Sequence, residues 1–499
     1  MSNFKSLASQ TAIYGLSSIL GRSVNFLLII VYTTFLSKDA IGAFTTIYAL
    51  IGFLNIVFTF GMETTFFRFA TGKNLDSTKV YNTTQSLLFT TSLILGSTLF
   101  LLAPKLAEWM NYPGQAYLFR WVALILSFDA IMAIPFARLR LRNQAWAFAG
   151  AKLLNISLNV GLNILLIVGF PKMIEAGMLQ EGFLGYRTDW GVEYILLANL
   201  LANGLIIPLV WWKAGFFKFY LNRDILKPMW KYAFPLLFMG LAGVTNDLVS
   251  RLLFEYLLPA DFYPGLTSRQ ATGIFGANFK LAVLMNLVIQ AFKYAAEPFF
   301  FKKSSDPNSP KLYARVTHGF VIFTTVLMVA ISVNLYWIGP LFLRQPGYSE
   351  ALFIVPILLM GYLLLGVYFN ISIWFKVTDR TSYSLWITLA GAAMSILVIF
   401  ILVPKLGYLG ASLSTLSSYF LMVVICYFFG QKFYPIPYPT LKLIVYMLLG
   451  FTFSYAGFYL DIDNDLINFL AKNSIILLIL IWVYFSERND LLLFLKKKN

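Results

Sequence analysis

Three ionisable residues stand at four-residue intervals in the apolar run "GVTNDLVSRLLFEYLL" (243 to 258): Asp247, Arg251 and Glu255. Positions i, i+4 and i+8 share one face of a helix, so the run builds a ladder of acid, base and acid. Other charges interrupt apolar runs in the same way: Arg22 in "SILGRSVNFLL", Asp129 in "LSFDAIM", Lys152 in "AGAKLLN" and Lys280 in "GANFKLAVL". An ionisable group near a bilayer centre costs about 2.5 to 3.5 kcal/mol on insertion scales, so those that are kept face a cavity or a partner. The deep set holds four bases (Arg22, Lys152, Arg251, Lys280) against two acids (Asp129, Asp247). A water-filled chamber with that surplus attracts anions and repels cations, and arginine grips phosphate with two parallel hydrogen bonds. The four bases are therefore candidate substrate-binding residues, and Asp129 and Asp247 candidate coupling or charge-pair residues. The plain structural alternatives are a self-neutralising Asp247–Arg251 pair and long side chains that snorkel to the interface. Glu255, near the outer helix end, is expected to be solvated. In "GMETTFFRF", Glu63 and Arg68 stand five residues apart at the inner mouth and read as a gate or an anchor.

The elements that carry these charges are long and apolar. Of 499 residues, 59% are hydrophobic and 12% charged, about half the charge of an ordinary globular chain, and the mean hydropathy is +0.74. About fourteen blocks are long enough to cross a membrane as helices, which takes around 20 residues each. They fall near 10 to 35, 40 to 66, 81 to 103, 117 to 137, 146 to 170, 191 to 212, 232 to 257, 272 to 295, 317 to 340, 351 to 374, 383 to 403, 408 to 430, 441 to 460 and 466 to 485. The reading is an all-α polytopic membrane protein whose first span is retained, since no cleavable signal peptide precedes it. With both termini inside, most of the 38 basic residues fall in cytoplasmic segments, as the positive-inside rule requires. "RLRLRN" (138 to 143), the 213 to 231 segment and the tail "KKK" (496 to 498) lie inside, and the acidic "DIDND" (461 to 465) lies outside. Pro235 and Gly240 in "YAFPLLFMG" are positions where a membrane helix can kink.

The net charge of +16 reads as topology and as affinity for anionic lipid, not for nucleic acid, because the bases are scattered over short loops. Cys426 and His318 are each the sole residue of their type, which leaves no disulfide framework and no metal-ligand set. A P-loop is absent, and the D-x-D at Asp461 and Asp463 falls in an outer loop, so catalysis by this chain is not expected. No cofactor is expected; coupling to H⁺ or Na⁺ stays open. "AIGAFTTIYALIGFLN" (40 to 55) and "ATGIFGANFKLAVLMN" (271 to 286) share Ala40/Ala271, Gly42/Gly273, Phe44/Phe275, Leu50/Leu281 and Asn55/Asn286, at an offset of 231. Pro-Lys recurs at 171 to 172 and 404 to 405, an offset of 233. A duplication of six spans follows, giving lobes of 1 to 215 and 225 to 432, two extra helices over 441 to 485 and a basic tail over 486 to 499. Parallel repeats of this kind are a transporter architecture with the substrate between the halves.

The chain resembles the polysaccharide-exporter, O-antigen flippase branch of the multidrug/oligosaccharidyl-lipid/polysaccharide (MOP) flippase superfamily. The likeness runs through "YGLSSILGRSVNFLLIIVYTTFLS", "GMETTFFRFA" and "RLRLRNQAWAFAGAKLLNISLNVGLNILL". It continues in "FPLLFMGLAGVTNDLVSRLLFEYLL", "GIFGANFKLA" and "GYLGASLSTLSSYFLMVVICYFFGQKFYPIP". The resemblance implies two six-helix lobes in a V with a cationic cavity open alternately to either side. It also implies an oligosaccharide linked to a lipid, usually undecaprenyl pyrophosphate, as the partner, with membrane lipid around it and any assembly enzymes on separate chains. Arg22, Arg251 and Lys280 match the family's basic positions, and Asp247 its acidic position before the arginine. The last two helices match those that line a groove for the lipid tail in fourteen-helix relatives. Three alternatives stay open: a lipid II flippase, a cation-coupled drug antiporter of the same superfamily, and a polymerase or ligase of the same pathway, which would carry a large periplasmic loop.

Overall fold

The computed structural model describes the backbone of residues 2–72, 75–304 and 306–496, and side chains from residue 19 to residue 488 within those stretches except that of 298. Every regular element among the described residues is helical. The first three helices are α1 (Ser2–Phe35), α2 (Lys38–Thr59) and α3 (Met62–Ala70). After them come α4 (Ser77–Trp109), α5 (Ala116–Leu141), α6 (Ala145–Ile164), α7 (Phe170–Glu175), α8 (Val192–Ala214) and α9 (Arg223–Leu257). The rest of the chain forms α10 (Ser268–Lys303), α11 (Ser309–Val333), α12 (Leu335–Phe342), α13 (Val355–Ile371), α14 (Ile373–Val377), α15 (Ser382–Leu406), α16 (Tyr408–Phe433), α17 (Thr440–Tyr459) and α18 (Asp465–Lys496). Among the described residues, thirteen helices are long and apolar enough to cross a membrane, and α1 adds the shorter apolar stretch Ile19–Phe35. This agrees with the fourteen expected spans. Large apolar side chains such as Leu93, Leu101, Leu205, Phe420 and Leu477 stand exposed along the helices, the outward surface that lipid solvates. The last turns of α5 (Arg138, Arg140) in the first unit and of α10 (Lys302, Lys303) and α16 (Lys432) in the second form the basic end of each unit. The tail beyond residue 488 lies outside the described side chains.

Local chemistry explains several boundaries. Ser37 and Asp76 cap α2 and α4 by accepting the backbone N–H of Ala40 and Thr78 at 3.2 and 2.8 Å. The second span is interrupted where Phe60 (φ 32°) and Gly61 (φ 71°) take left-handed conformations between α2 and α3, a break the apolar pattern does not announce. The expected kink near Pro235 leaves α9 a single helix through Pro228 and Pro235. Gly240 there is a contact point: a Cβ would stand 2.8 Å from Ile56 Cγ2 of α2.

The chain divides into two compact units, residues 1–256 with 260–273, and residues 257–259 with 274–499. In the first, α4 packs on α5, α5 on α8 and α8 on α6, around a core that includes Ile47, Phe119, Val122, Ile125 and Leu196. In the second, α11 packs on α13, α13 on α16 and α16 on α15. The third, fourth, sixth and fifth spans of each set of six thus follow one another in the same order. The additional helices α17 and α18 pack on α11, where Val329, Val333 and Ile479 close a small core. Helix α9 groups with the first unit by its contacts.

Candidate functional site

Inside the first unit the polar residues of four helices join into one network. Asn203 of α8 donates to Asp129 Oδ1 of α5 at 2.8 Å and to Asn199 Oδ1 at 3.0 Å. Asn155 of α6 donates to Asn203 Oδ1 at 3.0 Å, and Asn199 donates to the Tyr48 hydroxyl of α2 at 3.1 Å. Asn203 is 7% exposed and has both its donors and its acceptor engaged, which is how a buried amide avoids a desolvation cost. Lys152 on α6 lays its ammonium 4.3 Å from the Phe136 ring centroid and feels the charges of Asp129, Glu63 and Arg140. The fold thereby brings together Asp129 and Lys152, 23 positions apart in sequence. Sequence reasoning missed Tyr48, Asn155, Asn199 and Asn203. A usable signal was present in "ANLLANGL", where Asn199 and Asn203 share a helix face inside an apolar run.

Arg22 is exposed on α1. Its neighbour Gly21 abuts α6, since a Cβ there would lie 2.5 Å from Ile156 Cδ1, one turn beyond Lys152. Asp247 and Arg251 do pair, at 3.2 Å, with Arg251 also donating to the Asp247 carbonyl at 3.1 Å. Lys280 is half-buried on α10 in the second unit, whereas the other deep charges lie in the first.

Glu255 departs from expectation. It is 8% exposed, not solvated, and accepts Arg269 Nε at 2.8 Å and Thr46 Oγ1 at 3.1 Å. Arg269 also donates to the Asn111 carbonyl at 2.7 Å and lies 4.0 Å from the Tyr112 ring centroid. Burial first, and then the Glu255 carboxylate, push the Tyr112 phenol well above its ordinary range, so Arg269 covers a neutral ring. The reason for the difference is tertiary: the first turn of α10 brings a guanidinium onto a helix end that is open in isolation. Glu63 and Arg68 likewise take separate partners. Glu63 pairs with Arg140 of α5, and Arg68 lies 4.2 Å from the Tyr232 ring centroid on α9.

Residues 31–171 match a family described as "Polysaccharide biosynthesis protein". No curated protein matches the chain by sequence. Among solved structures, the lipid II flippase MurJ is similar at TM-score 0.67 and 14% identity, covering 95% of this chain and 99% of its own. A multidrug resistance MATE family transporter of the MOP superfamily is similar at TM-score 0.61 and 14% identity, covering 85% and 94%. A mutant of the Vibrio cholerae MATE transporter VcmN gives 0.59, 14%, 87% and 98%.

Proposed function

We propose, from the premise that this chain is a MOP-superfamily member by fold, that it is a flippase carrying a lipid-linked oligosaccharide across the bacterial inner membrane for cell-surface polysaccharide synthesis. The observation that carries this reading is the match of residues 31–171 to a polysaccharide-biosynthesis family in a chain whose deep bases, Arg22, Lys152, Arg251 and Lys280, outnumber its deep acids. Bases in a wet cavity suit an undecaprenyl diphosphate, and alternating access would expose them first to the cytoplasmic and then to the outer leaflet. Both termini then lie in the cytoplasm, and the lobes divide near residues 215 to 225. Glu63 and Arg68 serve as the gate at the inner mouth. Asp129 and Asp247 are the groups through which H⁺ or Na⁺ would couple; transport that still depends on the ion gradient after neutralising each removes that role. Assembly enzymes act as separate chains.

The test is accumulation of lipid-linked oligosaccharide on the cytoplasmic leaflet after gene deletion, with rescue by wild type, Arg22→Ala and Lys280→Ala, one base from each unit. Accumulation reversed by wild type and not by the variants is the expected result. Absence of accumulation, with altered drug sensitivity, supports an antiporter. The near-complete overlap with MurJ favours a second reading, a lipid II flippase, which the same assay separates by the lipid that accumulates.

A further inference from the structure

Two ion pairs at the basic end join the gate residue Glu63 to Arg140, and Glu297 to Lys376, and of these four residues only Glu63 has a role in the flippase reading. In the first unit, Glu63 stands in the first turn of α3, just past the left-handed break at Phe60 and Gly61, and pairs with Arg140 in the last turn of α5. In the second, Lys376 stands on the short α14, just past the turn at Ser372, and pairs at 2.6 Å with Glu297 of α10. Glu297 and Lys376 lie 234 and 236 positions after Glu63 and Arg140, close to the 231 and 233 of the sequence repeat. Each unit therefore fastens a short helical segment that follows a chain break, with an acid from its second span and a base from its fourth.

Each acid also has a second base near it. Lys152 feels the charges of Glu63 and Arg140. Lys293, one turn before Glu297, lies 4.2 Å from the Phe369 ring centroid and lines a cavity with Glu297, Lys376 and Asn370. Asn370 is 2% exposed; its amide donates to the Gly366 carbonyl at 3.0 Å, and its Oδ1 has no protein partner. Both pairs stay open to solvent, with side-chain exposures of 47% and 31% for Glu63 and Arg140 and of 38% and 25% for Glu297 and Lys376. Exposed pairs of this kind are weak and exchange readily. A diphosphate carries more charge than a carboxylate and offers arginine the same two-oxygen geometry.

We propose that Arg140 and Lys376 are loading sites for the diphosphate of the lipid-linked substrate, one in each unit, and that Glu63 and Glu297 hold the place of its oxygens until it arrives. This rests on the flippase reading. Displacement of the carboxylate removes the polar tie of α3 to α5 and of α14 to α10, so arrival of substrate loosens the inner mouth, while the buried cores that hold Phe66 with Ile134 and Ile373 with Phe300 remain. In the second unit, Asn370 Oδ1 is the acceptor left for a hydroxyl or a water that enters with the anion.

The test is binding of geranyl diphosphate to the full-length protein in lipid nanodiscs, with thermal unfolding of every variant recorded beside it. Removing the competing carboxylates in Glu63→Gln with Glu297→Gln should tighten binding at each site by up to about fivefold, the most that one exposed ion pair is worth. Reversing each pair (Glu63→Arg with Arg140→Glu, and Glu297→Lys with Lys376→Glu) keeps the fastening and should keep the unfolding temperature, yet weaken binding. Glu63→Asp with Glu297→Asp, a milder change, should fall between wild type and the glutamine variant. Unchanged binding in all of these variants, with binding still lost in Arg22→Ala and Lys280→Ala, overturns the loading sites and leaves the flippase reading intact. No binding by wild type, together with no flipping of lipid-linked oligosaccharide, overturns both.

Discussion

At the scale of residues, the Asp129 network is held by amides. Removing Asn203 strands a carboxylate that has Lys152 nearby but loses its short hydrogen bond. Asn203→Ala should therefore destabilise the protein by about 1–3 kcal/mol, the cost of an unsatisfied buried group. Asp129→Asn keeps an amide oxygen where the carboxylate oxygen was, and should cost less stability while impairing transport. Thermal unfolding in nanodiscs, paired with a flipping assay, separates the two variants; equal melting would show that the network does not hold the unit together. Glu255 and Arg269 supply a second comparison. Arg269→Ala leaves a buried carboxylate without its cation and should cost about 3–5 kcal/mol, more than Glu255→Gln or the double variant. A double-mutant cycle on unfolding reads this directly. Asp129 and Lys152 were legible in the sequence because a charge in an apolar run is conspicuous. Their amide partners were not, because one asparagine in such a run looks like any small polar residue until another helix faces it.

At the scale of elements, the repeat-equivalent glycines Gly42 and Gly273 meet each other. A Cβ on Gly42 would lie 2.0 Å from the Arg269 carbonyl oxygen, and one on Gly273 would lie 2.2 Å from the Lys38 carbonyl oxygen. Backbone cannot step aside as a flexible side chain can, so Gly273→Leu should force α2 and the start of α10 apart and lower the unfolding temperature sharply. Gly150→Ala is the control, because nothing lies within 4 Å of its added Cβ and the helix propensity change is about 1 kcal/mol or less in its favour. The hydrogen bonds of Gln270 and Thr267 to Asp39, at 2.7 and 3.3 Å, secure the same crossing. Sequence comparison picked out Gly42 and Gly273 as a matched pair. That they touch is a matter of how two equivalent helices cross, and no pattern within either helix encodes it.

At the scale of the whole molecule, the proposed cargo sets the energetics. A diphosphate bearing about two negative charges, moved outward across an inside-negative membrane, gains about 4–5 kcal/mol per 100 mV at 2.3 kcal/mol per charge. Flipping in proteoliposomes should therefore accelerate with an inside-negative potassium diffusion potential imposed by valinomycin, and slow when the potential is reversed. A rate indifferent to the sign of the potential would mean that a counter-ion moves with the substrate. The sequence by itself determined the membrane class, the number of spans and which charges interrupt the apolar runs, because hydropathy and charge cost are local properties of a chain in lipid. Only the tertiary structure decided the partners: Arg140 for Glu63, Arg269 for Glu255, and the amides around Asp129. It also decided the break at Phe60 and Gly61, where a Cβ on Gly61 would lie 2.7 Å from Leu236 Cβ of α9. Hydrogen bonds and ion pairs act over a few ångströms, and residues far apart in sequence come within that range only once the helices have packed.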